Sequence, residues 1–176
     1  MNSLVQALQK IVHILEEEHI PYMVVGGFAL SYYNRARTTN DIDINIQVYP
    51  NQLEKIVKYY PDWMPSLQAF KDNAERGTVF NLFDFDTGVK MDFMVYQDSD
   101  YNWTAFERKK SVDYMRVKCN VSSPEDLVLS KLIWYNLSKS EKQWADLVFL
   151  MTIPDLNRQY LELWSTKLFL KRHGLF

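Results

Sequence analysis

Residues 24–30, Val-Val-Gly-Gly-Phe-Ala-Leu, are followed at positions 37–44 by Arg-Thr-Thr-Asn-Asp-Ile-Asp-Ile. This pattern predicts a strand, a tight glycine turn, a short helix, a polar loop and a second strand. Side chains alternate between the two faces of a strand, so Asp41 and Asp43 share one face and the intervening apolar residues share the other. The two carboxylates would lie about 6–7 Å apart along the strand. That spacing suits ligands of one or two hard cations such as Mg²⁺, which would relieve the repulsion between the two charges.

A third aspartate lies on a predicted hairpin. Two runs rich in aromatic and β-branched residues flank the turn Asp86-Thr87-Gly88 and predict a β-hairpin over about residues 78–96. Asp92 stands among apolar neighbours in the second run, where an aspartate is usually paired or holds a metal. If this strand pairs beside the Asp41 strand, Asp92 completes a carboxylate trio able to support in-line phosphoryl transfer. The alternative is a simple ion pair between Asp92 and Lys90 on the same face.

The ordered set of a Gly-Gly turn, an Arg-x-Thr-x-Asp-x-Asp approach and a later aspartate resembles the nucleotidyltransferase fold of the polymerase β type. Within that fold the chain is similar to the AbiEii/MenT-like bacterial nucleotidyltransferases and their small stand-alone relatives. Residues 90–92, Lys-Met-Asp, resemble the second motif of that group. Asp126 and Lys131 resemble its Asp-x4-Lys motif, and Asp146 resembles its final aspartate. The resemblance covers roughly residues 20–150.

This resemblance implies an α+β fold, a small mixed β-sheet flanked by helices with a C-terminal helical portion. Residues 1–120 would form the nucleotidyltransferase core, and residues 121–176 a helical portion packed on the same domain. The implied activity moves a nucleoside monophosphate from an NTP to an acceptor, an RNA or tRNA end or a small molecule, and releases pyrophosphate. The family further implies a toxin–antitoxin-like protein with a cognate antitoxin-type partner.

The resemblance also implies roles for individual residues. The implied set comprises the metal ligands Asp41, Asp43 and Asp92, the catalytic Lys131, and the nucleotide-binding Gly26, Gly27, Arg37 and Asp146. The metal would be Mg²⁺, or Mn²⁺ in its place, and Asp92 would be its third ligand or the base for the acceptor. The family commonly has serine at the position of Gly27, so backbone N–H groups would have to replace that hydroxyl at the phosphates.

Several of these residues have a structural alternative. Ser123, Pro124 and Asp126 together predict the capped start of a helix, which is sufficient to explain Asp126. Lys131 could extend to solvent from an otherwise apolar helix turn, or reach a triphosphate. Asp146 could pair with Lys142 one turn earlier. Arg37 could neutralise phosphate or pair with one of the two neighbouring aspartates.

Composition excludes several classes of protein. The 176 residues fit one domain, and a net charge of −2 argues against a broad nucleic-acid-binding surface. The densest basic stretch, residues 108–118, is either a solvated face or a local phosphate or RNA track. A single cysteine, Cys119, is consistent with a reducing cytosol, and together with three scattered histidines it predicts no zinc site. No segment has the length and apolarity of a signal peptide or membrane span, so a cytoplasmic location without a membrane is expected.

The pattern of apolar residues predicts the remaining elements. They are a helix over residues 4–18, strands at 22–25 and 41–48, a helix over 50–60, a loop with one helical turn over 61–76, a strand over 112–119, and helices over 124–137, 141–151 and 155–172. Two other functions are compatible with this sequence. One is a catalytically silent nucleotide- or partner-binding module on the same fold, and the other is a metal-dependent glycosyltransferase that uses the Asp-x-Asp pair.

Overall fold

A computed structural model describes residues 2–35, 39–49, 52–62 and 67–176. Within these ranges the strands are β1 (Tyr22–Val25), β2 (Asp41–Ile46), β3 (Val79–Asp84), β4 (Val89–Val95), β5 (Lys110–Tyr114) and β6 (Val117–Val121). They form a six-stranded sheet in the order β3-β4-β2-β1-β6-β5. β2 runs parallel to β4 and β1 parallel to β6, whereas the other neighbours are antiparallel. The sheet is therefore mixed, as predicted.

Helices flank the sheet and follow it. They are α1 (Ser3–Glu17), α2 (Gly26–Tyr32), α3 (Glu54–Val57), α4 (Leu67–Glu75), α5 (Asp100–Glu107), α6 (Pro124–Ser138), α7 (Glu141–Leu150) and α8 (Arg158–Lys167). The predicted α+β class with a C-terminal helical portion is confirmed. None of the helices in the described ranges is long and apolar enough to cross a membrane.

One face of the sheet is buried against α1 and α3. The alternation of side chains along β2 places Ile42, Ile44 and Ile46 on this face, each fully buried in the main apolar cluster. The aspartates of β2 therefore point to the opposite face, where they are only half-buried. Burial of the isoleucines fixes the register, because a shift of one residue would place the aspartates in the core.

A second apolar cluster attaches the C-terminal helices to α2. Ala29 and Leu30 of α2 pack with leucines of α6, α7 and α8, all fully or almost fully buried. The preceding residue, Phe28, belongs instead to the main cluster beneath the sheet. The short helix α2 therefore contributes to both cores and brings the helical portion beside the start of β2. The boundary at residue 120 stays a prediction.

The structure differs from the predicted elements in three regions. The segment predicted as one strand over 112–119 is a hairpin, because Met115 and Arg116 both take positive φ, 52° and 67°, and reverse the chain between β5 and β6. Such two-residue turns normally carry Gly, Asn or Asp, so this sequence gave no turn signal. The region predicted as a loop over 61–76 contains the nine-residue helix α4. The helix α5 was not predicted.

Two predicted helices are shorter than expected. The helix predicted over 50–60 is represented by α3 (Glu54–Val57), and its first residues lie outside the described part of the chain. The last helix begins at Arg158 rather than at 155, because the Asn157 side chain caps it by accepting a hydrogen bond from the Tyr160 backbone at 2.9 Å.

Candidate active site

The parallel pairing of β2 with β4 brings three carboxylates onto one face of the sheet. Asp43 is in register with Asp92, and Asp41 is in register with Lys90. The strand that carries Asp92 therefore does pair beside the Asp41 strand. Adjacent strands are separated by about 4.8 Å, so the Asp43 and Asp92 side chains start as direct neighbours. All three aspartates are half-buried on the face that the main core leaves uncovered.

The glycine turn between β1 and α2 packs directly on the second of these aspartates. Gly26 has a φ of +61°, and a Cβ added to it would lie 1.8 Å from Asp43 Oδ2. The backbone N–H of Gly27 donates a hydrogen bond to the same oxygen at 3.3 Å. Glycine is required at position 26 both for the backbone conformation and for the space that the carboxylate occupies.

Burial and two neighbouring carboxylates act in the same direction on the pKa of Asp43. Burial raises the pKa of its carboxyl above the ordinary value, and the charges of Asp41 and Asp92 raise this pKa further. The Gly27 N–H and the positive charge of Lys131 act in the opposite direction. Lys131 of α6 is therefore near enough to Asp43 for its charge to act on that carboxyl.

Each of the other two aspartates already has protein partners. Thr39 Oγ1 donates to Asp41 Oδ1 at 2.8 Å. Lys90 Nζ donates to Asp92 Oδ2 at 2.8 Å, and Asn81 Nδ2 donates to Asp92 Oδ1. The pKa of Lys90 is raised, chiefly by its hydrogen bond to Asp92 and also by the charges of all three aspartates. The predicted alternative partner of Asp92 is thus present.

The donor set fits a hard divalent cation. Three carboxylates on adjacent strands supply the oxygen ligands that Mg²⁺ and Mn²⁺ prefer, and their mutual repulsion is the penalty that such a cation would remove. Across residues 2–35, 39–49, 52–62 and 67–176, no three His, Cys, Asp or Glu side chains are already drawn together around a common point that could hold a metal. Metal binding at the trio therefore requires some of the present side-chain contacts to rearrange.

A second charged cluster lies beside the trio, centred on a buried carboxylate. Asp146 of α7, with a side chain only 2% exposed, has Lys131 Nζ 3.3 Å from its Oδ2 and Arg35 Nε 3.7 Å from its Oδ1. The predicted Lys131 and Asp146 are thus brought together. Arg35 was missed, because Arg37 was the basic residue that matched the family motif. Arg37 itself lies outside the described residues.

Arg35 is held only in part by this cluster. Its guanidinium lies 5.4 Å from the centre of the Phe149 ring, and its Nε is buried without a hydrogen-bond partner in the described structure. The separation of 3.7 Å from Asp146 is an ion-pair distance and too long for a hydrogen bond. Arg35 therefore retains donors for an anion, and its side chain is still 31% exposed.

Asp126 has a structural role away from the trio. Ser123 Oγ donates to Asp126 Oδ2 at 2.6 Å, Tyr160 OH donates to Oδ1 at 2.7 Å, and Arg108 Nε lies 3.2 Å from Oδ2. The Asp126 backbone N–H also donates to Ser123 Oγ, as the capping alternative predicted. We call these four residues the Asp126 clasp. It joins the end of α5 to the starts of α6 and α8, so Asp126 and Lys131 belong to different clusters.

The basic stretch at residues 108–118 does not form one track. Arg108 is part of the Asp126 clasp, and the Lys109 ammonium lies 4.3 Å from the centre of the Phe106 ring. Arg116 and Lys118 are exposed on the β5–β6 hairpin, at the opposite edge of the sheet from β3. The alternative of a solvated basic face fits this scatter better than a continuous nucleic-acid track.

Comparison with protein families assigns this arrangement to a known group. Residues 2–160 match the model of a family described as "Nucleotidyltransferase of unknown function (DUF6036)". The match includes the glycine turn, the three aspartates, Lys131 and Asp146. A comparison with curated proteins finds no match.

Solved structures share the fold at low sequence identity. An antigenic nucleotidyltransferase-like protein from Paracoccidioides brasiliensis is 16% identical with a TM-score of 0.58, over 94% of this chain and 87% of that one. The antibiotic-resistance factor ANT(2'')-Ia is 14% identical with a TM-score of 0.59, over 96% and 92% of the two chains. The lincosamide antibiotic adenylyltransferase LnuA, solved with lincomycin bound, is 15% identical with a TM-score of 0.51, over 84% and 96%. These similarities show the fold.

Proposed function

Because the chain belongs to this nucleotidyltransferase family, we propose that it transfers a nucleoside monophosphate from an NTP to an acceptor in a reaction that depends on a divalent cation. The observation that supports this most directly is the register of β2 and β4, which sets Asp43 beside Asp92 with Asp41 on the same face. Three half-buried carboxylates on one face of a sheet have no evident structural benefit, since burial raises the pKa of Asp43 and the charges of Asp41 and Asp92 raise it further. Phosphoryl transfer supported by divalent cations needs such a set.

We assign the metal-binding role to the trio. Asp41 and Asp43 would hold Mg²⁺, or Mn²⁺ in its place, with Asp92 as a third ligand. When bound, the cation would neutralise charge on the phosphates and orient the donor for in-line displacement. Gly26 and Thr39 support this role from the protein side, because the first leaves room for the Asp43 carboxylate and the second orients Asp41 by a hydrogen bond.

Cations beside the trio would bind the triphosphate. Lys131 lies on α6 with its ammonium 3.3 Å from Asp146, and it is close enough to affect Asp43. Arg35 adds a guanidinium with unused donors. Asp146 would hold both cations in place while the donor is absent, since a buried cation needs a counterion. Arg37 and the backbone of the glycine turn are further candidates for contacts with phosphate.

We propose the following chemical step. The acceptor oxygen attacks the α-phosphorus, a new P–O bond forms, and the bond between the α-phosphorus and the bridging oxygen of the β-phosphate breaks to release pyrophosphate. If Asp92 acts as the base and not as the third metal ligand, it would take the proton of the acceptor hydroxyl once its present partners move. Lys131 and Arg35 would stabilise the negative charge that collects on the leaving pyrophosphate.

The acceptor is a hydroxyl compound, and we favour a small molecule over an RNA end. The net charge is −2, and the basic residues at 108–118 do not form a continuous surface. Two of the structural neighbours are named for antibiotics, and one was solved with lincomycin bound. A tRNA or other RNA 3′ end remains the alternative acceptor. An antitoxin-type partner and a cytoplasmic location stay predictions. A cytoplasmic location would agree with the need for NTPs.

Incubation of the purified protein with each NTP and Mg²⁺ tests this function. Total RNA and a small-molecule cell extract serve as separate acceptor pools, and pyrophosphate release is measured with wild type and with Asp41→Asn. We expect one pool to support release by the wild type alone. Binding of NTP by calorimetry without release in either pool would contradict the proposal and favour a catalytically silent binding module. Consumption of a nucleotide sugar without NTP turnover would favour a glycosyltransferase.

A further inference from the structure

The Lys90 ammonium occupies the Asp92 carboxylate, to which a metal ion would also bind. Lys90 lies opposite Asp41 in the β2–β4 register and two residues before Asp92, so it shares the face of the trio. Its ammonium is 2.8 Å from Asp92 Oδ2, and Asn81 donates to the other oxygen. Both oxygens of Asp92 are therefore held by protein donors, and one of these donors, the Lys90 ammonium, carries a positive charge.

The contact places the Lys90 charge beside two members of the trio. The Lys90 ammonium is paired with Asp92, and the Lys90 backbone is opposite Asp41 on the neighbouring strand. Asp92 is 17% exposed, whereas the Lys90 side chain is 45% exposed and has room to leave toward solvent. The contact is thus electrostatically favourable while remaining free to break.

We propose that Lys90 is the counterion of the metal-free site, and that a divalent cation can bind the trio only by displacing the Lys90 ammonium from Asp92. This inference rests on the proposed function. An ammonium and a divalent cation on the same carboxylate repel each other, so Asp92 binds either Lys90 or the cation and not both. The protein alone should therefore bind the cation weakly. A nucleotide brings phosphate oxygens that can ligate the cation and accept the released ammonium, so metal and donor should enter together.

Mn²⁺ alone is the probe for this inference. Free Mn²⁺ is measured by electron paramagnetic resonance during titration of the wild type and of Lys90→Met, Lys90→Arg and Lys118→Met. Lys118 is the matched control, since it is an exposed lysine opposite Asp113 on the same sheet. We expect Lys90→Met to bind Mn²⁺ about tenfold more tightly or better, and the other two variants to bind like the wild type.

A double variant locates the ion. Adding Asp92→Asn to Lys90→Met should remove the gain in affinity, because the gain depends on the freed carboxylate. Thermal melting with and without Mn²⁺ checks that each variant is folded and gives a readout independent of turnover. Lys90→Met should be the variant that Mn²⁺ stabilises most.

Mn²⁺ affinity that is unchanged or lower in Lys90→Met would overturn the inference. An equal gain in Mn²⁺ affinity in Lys90→Met and Lys118→Met would also overturn it, since the gain would then come from the change in net charge. Failure here is distinguishable from failure of the proposed function. If only the inference fails, the wild type still releases pyrophosphate and Lys90→Met binds Mn²⁺ with the wild-type affinity. If the proposed function fails, no variant releases pyrophosphate.

Discussion

Gly26 and Asp43 are packed so closely that a Cβ on residue 26 would lie 1.8 Å from the Asp43 carboxylate oxygen. The glycine turn and the first carboxylate motif are thus one structural unit, although Gly27 is sixteen positions before Asp43, whose side-chain oxygen accepts its N–H. The packing of Gly26 and the hydrogen bond from Gly27 together position the Asp43 carboxylate. Burial raises the pKa of that carboxyl, the charges of Asp41 and Asp92 raise it further, and Lys131 acts in the opposite direction.

Gly26→Ala should therefore lower the free energy of unfolding by more than the backbone strain of an alanine with positive φ accounts for. Gly88 is the matched control, since its φ is +70° and a Cβ there would meet nothing within 4 Å. We expect Gly88→Ala to lower the free energy of unfolding by about 1–2 kcal/mol. Gly26→Ala should lower it further and abolish Mg²⁺-dependent NTP binding, measured by calorimetry. Equal losses in the two variants would show that Asp43 moves aside freely.

Asp43→Asn should stabilise the metal-free protein at neutral pH. The folded state raises the pKa of Asp43, so in the pH window between its unfolded and folded values the folded state binds the extra proton, and stability falls as pH rises through that window. Removing one of three repelling charges should gain roughly 1 kcal/mol, about 2–4 °C in melting temperature. The gain should vanish below the unfolded pKa, near 4.

The exposed Asp113 on β5 is the control for this experiment. Asp113→Asn should change the melting temperature little at any pH, since an exposed carboxylate is screened by solvent. A loss of stability in Asp43→Asn at pH 7 would show that the carboxylate is needed for the fold and would argue against a site built for a cation.

Arg35→Gln should weaken NTP binding without disturbing binding of a nucleoside monophosphate. Hydrogen bonds between charged partners contribute about 1.5–3 kcal/mol, which corresponds to roughly tenfold or more in affinity. Calorimetry with a non-hydrolysable NTP and with the matching NMP measures the two affinities. Arg158, exposed at the start of α8, gives the control Arg158→Gln. An equal loss for both ligands would place Arg35 away from the β- and γ-phosphates.

Asp126→Ala should lower the free energy of unfolding and leave NTP binding and transfer unchanged. The substitution leaves Arg108 and Tyr160 without their shared acceptor, a loss of about 2–3 kcal/mol. Tyr160→Phe removes one hydrogen bond and should cost about 1 kcal/mol. Urea unfolding measures both losses. The folded fraction of Asp126→Ala should retain the wild-type KM for NTP, and a stable variant that cannot bind NTP would instead place Asp126 in the site.

Local sequence rules predicted the part of the site that depends on one strand or one turn. The two-residue alternation along β2 put Asp41 and Asp43 on one face, and the glycine turn followed from its composition. The contacts of Arg35, Lys90 and Asn81 depend on which strands and helices become neighbours, which no local pattern encodes. Arg35 meets Asp146 across more than one hundred residues of chain. For the same reason Asp126, a motif match in sequence, proved to be part of a structural clasp.

The hairpin at Met115 and Arg116 shows a different limit. Both residues adopt a backbone conformation that their types rarely take, so their sequence gave no reason to divide the strand. β5 and β6 pair at five positions across this turn, and β6 also pairs with β1, so strand pairing outweighs the local preference of the two turn residues.

Transfer of label from an α-³²P NTP to an acceptor is the most direct test of the trio as a catalytic metal site. Wild type, Asp43→Asn and Asp113→Asn would be compared with Mg²⁺ and the acceptor pool that supports pyrophosphate release. We predict that Asp43→Asn loses at least about 100-fold in transfer rate while remaining folded, and that Asp113→Asn keeps the wild-type rate. Undiminished transfer by folded Asp43→Asn would contradict the assignment of the carboxylate trio as the metal-binding centre.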